Sequence, residues 1–253
     1  MNSIRRETIR KFVEEHEVVT VEQLCQLLPE VSLMTVHRDL NYLQEHGYLV
    51  KVRGGARYVD NRSSEPVYSA REMANREAKL RMAKKAQQFL PGARSIFIDA
   101  GTTMMAFAEG FPNIRANVVS TGPNVAIALA KQSLLRLHLC GGEMNKNNLA
   151  LSGSAAIDSL SAINIDTAFL VSSGYDAACG FSCGMESEAQ VKQIVAQKAR
   201  TKILLMDSSK CGRVFPYTFA QMADIDVFIS ELEPAQLPAD MLEAAAAHSV
   251  QIV

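Results

Sequence analysis

Ser32-Leu33-Met34-Thr35-Val36-His37-Arg38-Asp39-Leu40 is the stretch on which the reading of the N-terminal fold turns. Ser32 is a good helix N-cap, and Leu33, Val36, Leu40 and Leu43 recur at helical spacing through about Glu45. Gly47 stands where such a helix ends, at the C′ position. If that stripe is buried, Met34, Thr35, His37, Arg38 and Asn41 point away from the core. They carry a thioether, a hydroxyl, an imidazole, a guanidinium and an amide, and the polar ones are groups that read base edges in the major groove. The same periodicity also fits an amphipathic surface helix with solvated charges, so spacing alone leaves both readings open.

Working outward, two helices precede this one. Ile4, Ile9, Phe12 and Val13 mark the first. Thr20 caps the second with Gln23 three residues on, ahead of Leu24, Leu27 and Leu28, and Pro29 stops it. After the third helix, Tyr48–Val52 and Arg57–Val59 read as short strands around Arg53-Gly54-Gly55-Ala56. Lys51, Arg53, Gly54 and Arg57 on that hairpin are candidates for phosphate or minor-groove contact. The expectation for residues 1–60 is an all-α winged helix-turn-helix DNA-binding domain, with Ser32 included in the candidate DNA surface.

Charge does not decide the matter. Residues 1–60 hold eight basic and nine acidic side chains, but from Val31 to Val59 four basic ones face only Asp39 and Glu45. Charge on one face matters more for phosphate contact than the domain total. The whole chain carries a net −1, with 48% hydrophobic and 21% charged residues, as an ordinary globular protein does. No run approaches the roughly 20 apolar residues that span a bilayer. The polar N-terminus is unlike a signal peptide, so a cytoplasmic location without membrane association is expected. Five scattered cysteines, an odd number, do not form a disulfide framework. Cys179 and Cys183 have a C-x3-C spacing, but no second cluster or nearby His accompanies them, so neither a metal nor a cofactor is expected.

Residues 61–75 lack an apolar period and read as a linker to a domain at 76–253. From Ser95 onward, buried apolar runs alternate with helical stretches, which predicts an α/β domain with a largely parallel sheet. Its strand ends carry glycine and hydroxyl groups suited to an anion: Asp99, Gly101, Thr102 and Thr103; then Ser120, Thr121 and Gly122; then Gly141 and Gly142. Gly174, Asp176, Lys192, Asp207 and Lys210 add polar groups near later strand ends.

Ser32-x-x-Thr35-x-x-Arg38-Asp39-Leu40, followed by Gly47 and Arg53-Gly54-Gly55-Ala56, resembles the DNA-binding signature of the DeoR family of bacterial regulators. His37 departs from the arginine common there, which implies a different base preference or weaker binding. The order of the later loops resembles the sensor domain of that family, which is similar in fold to ribose-5-phosphate isomerase A. The resemblance implies a repressor of carbohydrate genes that binds double-stranded DNA and a phosphorylated sugar, as a homodimer or homotetramer. It also implies that Asp99, Gly101, Thr102 and Thr103 hold the phosphate with the Ser120-Thr121-Gly122 loop. Gly141, Gly142, Gly174, Lys192 and Lys210 would line the remainder. The alternative is a sugar-phosphate isomerase with an N-terminal appendage. Those enzymes carry Asp-Gly-Ala-Asp-Glu where this chain has Ser173-Gly174-Tyr175-Asp176-Ala177, and a catalytic glutamate where Lys192 falls. A lysine there is a poor carbon-acid base, so no turnover is expected.

Overall fold

The computed structural model describes residues 2–45, 48–58 and 68–253, with side chains from residue 5 onward and not at 45. The expected helix stop at Gly47, the strand residue Val59 and linker residues 61–67 lie outside the described residues. The chain folds as two units, Met1–Ala70 and Arg71–Val253.

The first unit runs α1 (Asn2–His16), β1 (Val18–Thr20), α2 (Val21–Leu27), α3 (Leu33–Glu45), β2 (Leu49–Val52) and β3 (Gly55–Tyr58). Ile9 and Val13 of α1, Leu24 of α2, and Val36, Leu40 and Leu43 of α3 close one apolar core with Val19, Leu49 and Ala56. The capping box forms as its residues require: the Gln23 amide donates to Thr20 Oγ1 at 3.1 Å, and the Thr20 amide to Gln23 Oε1 at 2.8 Å. Leu33 is a correction. It is 53% exposed, because the first residue of α3 lies a turn before the helix meets α1 and α2. The unit is also less purely helical than expected. β1 pairs antiparallel with β3, which pairs with β2, giving a three-stranded wing in the order β1-β3-β2. Gly55 permits that third strand, since a Cβ there would stand 2.0 Å from the Val19 carbonyl oxygen.

The second unit begins within α4 (Tyr68–Met73), a helix inside the stretch expected to be linker. Then follow α5 (Arg76–Ala86), β4 (Ser95–Ile98), α6 (Thr102–Glu109), β5 (Ala116–Ser120), α7 (Pro123–Leu129), β6 (Leu135–Leu139), β7 (Glu143–Asn145), β8 (Ala150–Ser152) and α8 (Ser154–Ser161). The chain continues through β9 (Thr167–Val171), β10 (Gly174–Asp176), β11 (Gly180–Cys183), α9 (Glu186–Lys198), β12 (Thr201–Leu205), β13 (Tyr217–Ala220), β14 (Val227–Ile229), α10 (Ala239–Ala247) and β15 (Gln251–Ile252).

Seven of these strands form an all-parallel sheet in the order β15-β14-β12-β9-β4-β5-β6. Both faces are covered, as unbroken apolar strands require. Ile96, Ile98 and Phe169 pack under α5, α6 and α7, while Phe97, Ala168 and Leu170 pack under α8 and α9. From β4 the chain moves outward through β5 and β6, then returns to place β9 on the other side of β4. The carboxyl ends of β4 and β9 therefore flank a topological switch point, where open α/β sheets bind ligands.

Candidate functional site: a DNA-reading helix and an anion cleft

On α3, Ser32, Met34 and Arg38 are exposed, and Thr35 and His37 are half-buried. Ser32 caps the helix: its Oγ accepts from the Thr35 amide at 3.3 Å and lies 3.0 Å from Thr35 Oγ1. Asn41 and Lys51 meet, with Lys51 Nζ donating to Asn41 Oδ1 at 2.6 Å, so the wing is tied to α3. Arg53 and Gly54 form the exposed turn of the wing, Gly54 at φ +80°, and Arg57 is exposed on β3.

Asp39, beside Arg38 in the motif, is fully buried and accepts from Arg5 Nε at 2.5 Å and Arg6 Nε at 2.8 Å. Burial pushes its carboxyl upward, but the hydrogen bonds and charges of Arg5 and Arg6 outweigh this and hold it below the usual range. Arg6 also stacks 3.6 Å above the Tyr42 ring. The side chain next to Arg38 in the motif thus anchors α1 to α3, which leaves Arg38 outward.

In the second unit a cleft of about 370 Å³, open mouth included, lies at the switch point. Gly101, Thr102 and Thr103 line it from the start of α6, Val171, Ser172 and Ser173 from the end of β9, and Glu188 and Lys192 from α9. Arg71 and Lys210 bring cations, and Asn148 an amide. Gly101 sits at φ +114°, a conformation that L side chains rarely adopt, and among the described residues no side chain caps the helix it precedes. The first amides of α6 are therefore donors in search of an acceptor, at the positive end of a helix dipole.

Lys192 lines the cleft, but its charge is engaged. It is 1% exposed, pairs with Asp99, lies 3.2 Å from Glu188, and donates to the Val171 carbonyl at 3.0 Å. Burial alone would lower its pKa; the two carboxylates raise it instead, so the ammonium stays charged. Asp99 also accepts from the Val171 and Ala100 amides, at 3.1 and 2.8 Å. The structure thus places Asp99 and Lys192 as a buried brace between β4, β9 and α9, where an anionic Asp99 would repel a phosphate. Among the cleft cations, Arg71 and Lys210 stand on separate segments, and Lys210 donates to the Ser172 carbonyl at 2.8 Å. Nearby Lys79 donates to the Arg71 and Ala74 carbonyls. Burial, then repulsion from Lys210, lowers its pKa to about 8.

Several expected contact residues lie outside the cleft lining. Ser120 Oγ accepts from the Gly122 amide at 3.0 Å, and the Thr121 carbonyl from the Leu151 amide at 2.8 Å, so that loop is a buried support. Gly142 and Gly174 give close backbone passage, their Cβ positions lying 2.3 Å from the Ser152 and Arg213 oxygens. Gly141 is exposed beside Gly142. Asp176 Oδ1 accepts from the Ala178 and Cys179 amides and shapes a turn. Asp207 accepts from Asn75 Nδ2 at 3.0 Å and braces the turn that carries Lys210. Conversely, the sequence reading does not single out Arg71, Asn148, Ser172 or Glu188. Arg71 falls in the stretch expected to be linker; Glu188 precedes Lys192 by one helical turn, a spacing visible in the sequence. All five cysteines are free, and among the described residues no group of His, Cys, Asp or Glu is placed to hold a metal.

Comparison with known proteins bears on both halves. Residues 5–62 match the DeoR-like helix-turn-helix domain, and residues 74–232 the DeoR C terminal sensor domain. The chain is 30% identical to the HTH-type transcriptional repressor GlcR of Bacillus subtilis, over 93% of this chain and 90% of that protein. It is 27% identical to the glycerol-3-phosphate regulon repressor of Escherichia coli, over 98% and 97%. Ribose 5-phosphate isomerase A from Methanocaldococcus jannaschii aligns with a TM-score of 0.41 at 18% identity, over 55% of this chain and 56% of that one. With a helix-turn-helix reader and a sensor domain both matched, this chain belongs to the DeoR family of DNA-binding transcriptional regulators, not to a family of enzymes.

Proposed function

We propose that this regulator is a cytoplasmic repressor, working as a dimer or tetramer, whose cleft at the β4/β9 switch point takes a phosphorylated sugar or polyol. The observation that carries this reading is the uncapped start of α6 at Gly101-Thr102-Thr103, sharing one cleft with Arg71 and Lys210. Amide donors, two hydroxyls, a guanidinium and an ammonium suit a phosphate dianion. Glu188 and Asn148, joined at 2.7 Å, lie in the same cleft and offer acceptor and donor groups to sugar hydroxyls, while the carboxylate disfavours a second phosphate. The name of the glycerol-3-phosphate regulon repressor fits a ligand with one phosphate and vicinal hydroxyls.

The ligand acts by population shift: it releases DNA only to the extent that it prefers the non-binding arrangement. Full-length protein is titrated with phosphorylated and unphosphorylated sugars by calorimetry, and DNA release is followed by fluorescence anisotropy on a duplex selected by the protein from random sequence. A response confined to phosphorylated compounds, and lost in Thr102→Ala and Lys210→Ala with DNA binding retained, is the expected result. Equal response to the unphosphorylated sugars sinks the reading.

A further inference from the structure

The two edges of the seven-stranded sheet are unlike. β15 is two residues long and offers a neighbouring chain little to pair with. β6 is five residues long, paired to β5 on one side and last in the strand order on the other. Its sequence is Leu135-Arg136-Leu137-His138-Leu139, and the last four residues are exposed. Leu137 and Leu139 are 37% and 44% exposed, and Ile127 of α7, beside this strand, 72%. Leu137 is in register with Val118, which packs under α7, so the three leucines share the face on which Ile127 stands. The Cys140 amide donates to the Ser120 carbonyl at 3.0 Å; by alternation, the Leu137 and Leu139 amides point away from β5. A long edge strand with exposed leucines is a template for pairing, not a guarded edge.

We infer that β6 pairs antiparallel with β6 of a second copy, across a two-fold axis at Leu137. The strand is self-complementary when reversed. Leu135 meets the Leu139 position, Leu137 meets itself, and Arg136 meets His138 and not another arginine, so no fixed like charges are opposed. Such a contact is isologous: it uses both edges and closes, where a one-sided contact would propagate into a fibre. It also supplies the two-fold symmetry that a helix-turn-helix regulator uses on paired half-sites, and here it rests on the dimeric reading above.

The test measures the mass of the full-length protein by sedimentation equilibrium, without DNA or sugar, so that it stands apart from effector binding. Leu137→Lys and Leu137→Glu alter an exposed side chain, and each is expected to lose one level of association while melting as a folded protein. Their equimolar mixture is expected to regain it, since position 137 faces itself. A Leu137→Cys variant is expected to cross-link to itself under oxidation, a readout independent of the charged variants, while Leu139→Cys does not. Unchanged mass in either charged variant, a mixture that stays dissociated, or a wild-type chain that is monomeric at every concentration overturns the inference.

Discussion

At the residue scale, the motif Arg38-Asp39 divides its labour: Arg38 is exposed and Asp39 is fully buried beneath Arg5 and Arg6. Arg38→Ala is expected to cost about 1–3 kcal/mol on the cognate duplex if the guanidinium reads a base, with thermal stability unchanged. Anisotropy titration at fixed salt checks it. Asp39→Asn removes the charge that α1 grips and is expected to lower the stability of the first unit by about 1.5–3 kcal/mol, the range for hydrogen bonds to a charged group. The sign of its pH dependence follows from the depressed carboxyl. The stabilisation is complete above the pKa of the unfolded chain and is lost as pH falls through the lower folded value. Acid melts of wild type and Asp39→Asn are thus expected to converge at low pH, and parallel curves there would remove Asp39 from this role.

At the element scale, the wing is a three-stranded sheet because β1 adds to the hairpin. The sequence does not announce this: Val18-Val19-Thr20 is three residues long and runs directly into the Thr20 cap, so no period can declare itself. Gly55 reads in sequence as part of a loop tip, whereas the positive φ belongs to Gly54, and Gly55 is needed for the close passage of β1. Gly55→Ala forces a Cβ into the Val19 carbonyl, and a loss of more than about 3 kcal/mol is expected, since backbone on both sides must move. Equilibrium urea unfolding checks this, with Gly54→Ala as the comparison, strained in φ but open in space.

At the scale of the whole molecule, the cleft of the second unit gathers side chains from positions 71 to 210, and Lys79 lies beside it at the Arg71 carbonyl. Lys79, with a pKa of about 8 in the folded chain, titrates where few lysines do. Its pKa lies below that of an unfolded lysine, so between those values the unfolded chain binds more protons, and stability from this group rises as pH climbs through 8. A phosphate drawn to Arg71 and Lys210 raises the Lys79 pKa by adding negative charge nearby. Binding at about pH 8.5 is therefore expected to take up part of a proton, seen as a calorimetric heat that scales with buffer ionisation enthalpy. The uptake is expected to vanish in Lys79→Met.

The order of helices, the parallel sheet and the recognition helix were determined by the sequence itself, because they rest on local signals: caps, spacing of apolar residues and unbroken buried strands. Gly101, Thr102, Thr103 and Lys210 are legible as candidate effector residues from their place after a strand, and they line the cleft. Only tertiary structure decided which of the remaining strand ends meet. The loop at Ser120 follows a strand on the far side of β4 and ends as a buried support, Gly141 stays exposed, and Asp176 ends as a turn residue. Tertiary structure also decided which charges are spent: Lys192 and Asp99 lie 93 residues apart and neutralise each other in the interior. Asp39 is consumed by two arginines more than 30 residues away. A charge advertises its chemistry in sequence, but whether it faces solvent, a ligand or a buried partner depends on low-dielectric neighbours that the fold brings from elsewhere in the chain.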